Sequence, residues 1–207
     1  MREPVPIHRI VVEARELFRE YGYEGASMRD LADRVGLRPQ SLYTRFPSKE
    51  SLVREVLALT LDDTLADLPD PATDWRGAWR TLIGRIAETF ETRGRCVGLH
   101  LAYGVTAQIP DAQEAVRAFF LRLRDAMAGI LDAGEVSESA AVAEDILAQL
   151  EGATLWIATS GDMTPLRRAV ERACEIAILS STSSLPIEMP ERGKALRIPT
   201  RPSPLGR

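Results

Sequence analysis

The chain has 207 residues, 45% of them hydrophobic, and a net charge of −4, which is ordinary for a soluble globular protein of one or two compact domains. No apolar stretch approaches the roughly 18 residues of a membrane span, and the N-terminal MREPVPIHRI lacks the apolar core of a signal peptide, so a cytoplasmic protein with no membrane partner is expected. Cys96 and Cys174 have no Cys or His neighbour at metal-ligand spacing; they read as small core side chains, and neither a disulfide framework nor a metal or cofactor is expected.

Helical periodicity begins at once. Ile7, Ile10, Val11, Ala14, Leu17, Phe18 and Tyr21 fall at the three-and-four spacing of one buried stripe, and Gly22 ends that first helix. Ser27, three residues ahead of Asp30, has the form of a capping box. A short second helix follows, with Leu31, Ala32 and Val35 on its inner face and Gly36 as its left-handed stop. Pro39 suits a first helical position and opens a third helix to Phe46. Pro47 breaks it, and Ser48 caps a fourth helix running through Leu52, Val56 and Leu59 toward Leu65.

The proline-rich, acidic Leu68–Asp74 segment marks a boundary. Beyond it, helices are expected near residues 74–92, 97–108, 111–133, 138–160 and 164–183, about nine in all with those before them. No strand alternation is visible, so the fold class is all-α, with an N-terminal three-helix unit and a larger helical unit. The last stretch, 185–207, is rich in proline and reads as a flexible tail.

Charge is uneven along the chain. Residues 1–60 hold ten basic and nine acidic side chains, residues 61–190 eleven and twenty, and residues 191–207 five and one. An acidic body does not forbid a basic face on the head, because screening over about 8 Å lets nearby charges dominate.

Two short helices joined by a tight glycine turn, the later one crowded with hydrogen-bonding side chains, match the helix-turn-helix arrangement whose later helix enters the DNA major groove. Leu42 and Phe46 lie four apart and face inward, which leaves Gln40, Ser41 and Thr44 on an outer face toward base edges. Gln pairs with adenine in a bidentate way, and the Thr methyl touches the thymine methyl. Tyr43, Arg45 and Lys49 stand at the sides, where phosphates would lie, and the helix start at Ser27 adds backbone N–H donors. The plain structural alternative is that Tyr43 packs on the first helix and Lys49 is a solvated first-turn charge.

The same stretch resembles the TetR/AcrR-type regulators. The likeness runs over about residues 8–56: Ala14, Leu17-Phe18, Tyr21-Gly22-Tyr23, Ser27-Met28, Leu31-Ala32, Val35-Gly36, Leu42-Tyr43, Phe46, and Ser48-Lys49-Glu50 followed by Leu52. The resemblance implies that Ser27, Tyr43 and Lys49 hold phosphates while Arg29, Pro39, Gln40, Ser41 and Thr44 face bases. Two departures stand out. Arg38 replaces the family's usual small capping residue, adding a candidate base or phosphate contact, and Arg45 replaces its usual His. The implied organisation is a helix-turn-helix DNA-binding domain over 1–50 with the fourth helix as a linker to about 67, then a ligand-binding and dimerisation domain over 74–184.

In that second region Trp79, Phe90, His100, Tyr103, Phe120, Met127 and Trp156 are candidates for lining a cavity for a small, mainly apolar ligand, with Thr106 and Gln108 as further polar handles. Each has the alternative of being core, and Trp156 that of belonging to a dimer seam. The last two helices are apolar on more than one face, which points to burial by a second copy. The expected function is a ligand-responsive, homodimeric repressor on palindromic double-stranded DNA. The alternative is a dimeric activator or architectural factor without a ligand. No Ser-His-Asp set, phosphate loop or zinc motif supports an enzyme.

Overall fold

The computed structural model describes residues 4–105 and 109–179. These residues form nine α-helices and no strand: α1 (Ile7–Gly25), α2 (Met28–Val35), α3 (Pro39–Arg45), α4 (Lys49–Leu65), α5 (Pro71–Arg93), α6 (Val97–Gly104), α7 (Pro110–Ala133), α8 (Ser139–Ser160) and α9 (Thr164–Leu179). The expected tail at 185–207, the handles Thr106 and Gln108, and the expected ends at 108 and 183 lie outside the described residues.

Local chemistry sets most boundaries. In α1 the backbone turns at Gly22, with φ 68° and ψ −172°, a region that is essentially glycine-only. Gly36 ends α2 in the left-handed conformation, and its N–H reaches the carbonyls of Ala32 and Asp33. One boundary differs from expectation. The helix expected from residue 74 begins instead at Pro71, with Asp70 accepting from the Ala72 N–H at 3.0 Å. The backbone then leaves helical geometry at Asp74, whose Oδ1 accepts from the Gly77 N–H at 2.8 Å. Two aspartates in succession thus cap one after the other, and the Pro that reads as a linker residue occupies a first helical position.

One continuous buried cluster joins the head, around Phe18, Leu31, Leu42 and Leu52, to the body, around Trp79, Ile83, Leu101, Met127 and Leu131. α4 bridges them, packing on α1, which it meets from Glu50 to Asp63, and on α7. α1 also rests on α6, while α7, α8 and α9 stack in turn and α5 closes against α7 and α9. Polar ties fix these contacts. Trp79 donates its Nε1–H to the Ala173 carbonyl at 2.7 Å, and Arg76 Nε donates to Ala177 O at 2.7 Å, fastening α5 to α9. α4 has no basic residue in its last turn. Arg85 from α5 supplies one, donating from Nη1 to the carbonyls of Thr64 at 3.0 Å, Asp63 at 3.2 Å and Ala66, which occupies acceptors that the helix end leaves open.

Candidate nucleic-acid interface and ligand cavity

The α2–α3 unit is built by caps at both of its corners. The Ser27 hydroxyl accepts from the Asp30 N–H at 3.1 Å and donates to Asp30 Oδ2 at 2.6 Å, so the side chain of Ser27 is held as a cap while the helix start keeps open N–H groups. After the Gly36 turn, α3 starts at Pro39, and Arg38 at its N-cap makes no side-chain cap. Leu42 and Phe46 are buried, whereas Arg38, Pro39, Gln40, Ser41, Tyr43 and Thr44 are all exposed, as are Ser27 and Arg29 at the start of α2. The Thr44 hydroxyl donates to the Gln40 carbonyl at 2.9 Å, so its hydrogen is used within the helix and its methyl group is what remains for an outside partner.

Two of the basic side chains expected at phosphates are already engaged inside the fold. Lys49 Nζ donates to the carbonyls of Tyr23 at 2.7 Å and Ala26 at 3.2 Å, and stands 4.1 Å from the Tyr23 ring centroid. An ammonium has three donors, so one is left over. Arg45 Nη1 donates to the Val5 carbonyl, which ties α3 to the segment before α1. Tyr23, absent from the expected site, is the hub of this corner: its hydroxyl donates to Glu50 Oε1 at 2.6 Å. Burial, then Glu50, hold its phenol well above the ordinary value. Hydrogen bonds from Ser48 and then Tyr23 hold the Glu50 carboxyl below its own.

The body carries several clefts, one of about 410 Å³ between α5 and α9 beside Arg76, Arg80 and Cys174 and two others that border α7 or α8. Of these two, one, of about 340 Å³, lies between α4 and α7 beside Leu57, Leu61, Phe119 and Arg122. The other, of about 610 Å³, lies between α6 and α8 and is lined by Cys96, Leu99, His100, Tyr103, Glu151 and Leu155 among others. His100 and Tyr103 therefore stand at a cavity. Trp79, Phe90 and Met127 line neither of these two clefts: they are 0%, 3% and 0% exposed and lie in the buried interior, where large apolar side chains at helical spacing usually sit. Phe120 packs edge-on to Phe119, with ring centroids 5.1 Å apart, against the bare backbone of Gly98 in α6. Trp156 is on the outside of α8, 53% exposed, next to Leu155 at 61%.

Comparison with known proteins converges on one family. Residues 10–56 match the family model of bacterial regulatory proteins of the tetR family, and residues 76–172 that of the LmrA/YxaF-like transcriptional regulator C-terminal domain. The chain belongs to the TetR family. Among relatives, the transcriptional repressor BdcR of Escherichia coli is 26% identical over 52% of this chain and 56% of its own. The repressor KstR2 of Rhodococcus jostii is 35% identical over 38% of each. The chain thus spans about half or less of the length of these curated relatives. A TetR-family regulator from Agrobacterium tumefaciens superposes with a TM-score of 0.66 at 25% identity, over 81% of this chain and 95% of that one. One from Legionella pneumophila does so with 0.73 at 22%, over 84% and 98%, and shares the fold.

Within this TetR-family frame, one residue that the sequence reading passed over stands out. Glu151 is 8% exposed, its Oε2 has no hydrogen-bond partner, and burial raises its pKa to about 7. The signal was there: Leu147 and Thr154 lie on the inner face of α8, and an acid four positions after the first and three before the second falls on the same stripe. His100 has a second role as well. A Cβ at Gly22 would lie 3.2 Å from its Nε2, so the space beside the α1 turn is closed by a side chain that also lines the cavity.

Proposed function

We propose that the protein is a homodimeric, ligand-responsive repressor that binds a palindromic operator in the cytoplasm and is released when a small, mainly apolar molecule enters the body. The observation that carries this is the two-sidedness of α3. Leu42 is 0% exposed and Phe46 5%, while Gln40, Ser41, Tyr43 and Thr44 face solvent, as a helix read by the major groove requires. Gln40, Ser41, Thr44, Arg38, Pro39 and Arg29 are the proposed base-facing set. Tyr43 and the helix start at Ser27 are the proposed phosphate set, with the remaining donors of Arg45 and Lys49 in support.

Exposed Leu155 and Trp156 on α8 form an apolar face suited to a second copy. A two-fold pair places two copies of α3 about 34–36 Å apart, one duplex turn, and thereby selects an inverted repeat. Release requires only that the ligand prefer a conformation in which that spacing is wrong. The head is linked to the body by α4 and by the packing of α1 on α6, so a shift at the α6 wall of the cavity bears directly on the Gly22 turn.

The test is selection of duplexes from a random pool followed by footprinting. The expected result is enrichment of an inverted repeat whose half-sites are centred about one helical turn apart. Enrichment of a single unrepeated site, or no enrichment, would contradict the reading.

A further inference from the structure

The α6–α8 cavity is mainly apolar, yet Glu151 stands on its α8 wall, 8% exposed and with Oε2 unpartnered. The carboxyl has the Cys96 thiol as a hydrogen-bond partner, but a buried carboxylate with one oxygen left unpartnered is costly to keep, and it disfavours a purely hydrocarbon occupant. We propose that this cavity receives an apolar molecule carrying a protonated amine, anchored by the Glu151 carboxyl. The proposal rests on the ligand-responsive reading above and names the chemical class of the ligand.

The groups around Glu151 favour a cation over an anion. Across the cavity, α6 and the turn before it supply Arg95, Cys96, His100 and Tyr103, while α7 and α9, which pack on the other sides of α8, put no titratable group on the wall among the described residues. Arg95 is exposed and donates to the Arg19 carbonyl at 3.3 Å, so it occupies the rim and is held there. Burial, then Arg95, lower the pKa of His100, which is therefore neutral near pH 7. Burial, then Glu151, raise the Cys96 thiol well above its ordinary value, so it stays protonated and is at most a weak donor. Tyr103 is 84% exposed. Among the described residues no cation faces the carboxyl from inside, and a ligand ammonium would supply a donor as a charge-assisted hydrogen bond.

Proton balance follows. Burial holds the Glu151 pKa at about 7, so near neutrality much of the population carries –COOH. Binding of R–NH₃⁺ leaves the ligand's own protons in place, ionises Glu151, and sends one carboxyl proton per converted site to the solvent.

The experiment is a fluorescence titration of the full chain with three matched probes: 1-pyrenemethylamine, 1-pyrenemethanol and 1-pyrenecarboxylate. At about pH 8 the amine should bind at least about tenfold more tightly than the alcohol, with a smaller preference at about pH 6. Calorimetry with the amine near pH 6.5, in two buffers of different ionisation heat, should register proton release. Glu151→Gln should bring the amine to within about twofold of the alcohol.

An amine that binds no better than the alcohol, a preference that survives Glu151→Gln, or tightest binding by the carboxylate would overturn the proposal, the last by assigning the anchor to Arg95. If the variant does not fold, the probe comparison and proton release in the unaltered protein decide alone. A gel shift with the selected duplex separates the two readings. Glu151-dependent amine binding that leaves DNA bound would uphold the cavity assignment and contradict ligand-driven release.

Discussion

At the scale of single residues, the fold keeps groups that work against its own stability, and these are the places where function is to be sought. Glu151 is the clearest. Its pKa is about 7 in the folded protein against 4.5 for an unperturbed glutamate, so between those values the native state binds more protons than the unfolded one. Its contribution to stability is therefore fully present below the lower value, declines as pH rises through the interval, and levels off above it, a change on the order of 3 kcal/mol. Glu151→Gln should flatten that decline and raise stability at about pH 8 by roughly 1–3 kcal/mol, measured by urea unfolding across pH. An unchanged pH slope would show that the carboxyl is solvated in solution. Gly22 is the second case. A side chain there meets both the glycine-only backbone region and His100 at 3.2 Å, so Gly22→Ala should cost about 1–3 kcal/mol. If thermal unfolding moves by less than a few degrees, the turn in α1 relaxes more easily than its geometry implies.

At the scale of elements, what was legible in the sequence divides by range. The α2–α3 unit could be read because its signals are local: Ser27 before Asp30, Gly36 at the turn, and Pro39 at the first position each act within four residues. The start of α5 was misplaced because Asp70 and Asp74 are both competent caps, and only the three-dimensional path uses them in sequence. Lys49 and Arg45, expected at phosphates, make internal bonds that the sequence does not foretell. Their partners, Tyr23, Ala26 and Val5, lie 23 to 40 residues away, and a basic side chain gives no sign in sequence of whether it points at DNA or at a carbonyl of its own chain. Trp79, Phe90 and Met127 failed as cavity residues because apolar periodicity reports burial and is silent on empty space. Arg85 at the end of α4 is likewise a long-range device. Arg85→Ala should leave the last turn of α4 without its cap, with a loss of about 1–2 kcal/mol and faster amide hydrogen exchange confined to that turn. Exchange that accelerates throughout α5 instead would mean that Arg85 stabilises its own helix and not its neighbour.

At the scale of the whole molecule, the head and body are one buried cluster bridged by α4 and by α1 on α6, so binding at one end has a packed route to the other. In the proposed pair of chains the apolar face of Leu155 and Trp156 would carry this logic across the seam, and Leu155 also borders the α6–α8 cavity. Trp156→Glu should yield a folded monomer by sedimentation, with helicity retained and affinity for an inverted repeat reduced by more than about tenfold. A dimer that persists would place the seam elsewhere.

In the proposed function, sequence recognition rests on the solvent face of α3. The most direct measurement is fluorescence anisotropy of the protein and its Gln40→Ala variant on the selected duplex and on a random duplex of equal length, at one salt concentration. The variant should lose about 1–3 kcal/mol of binding to the selected duplex and almost none to the random one. Equal loss on both, or no loss on either, would contradict it.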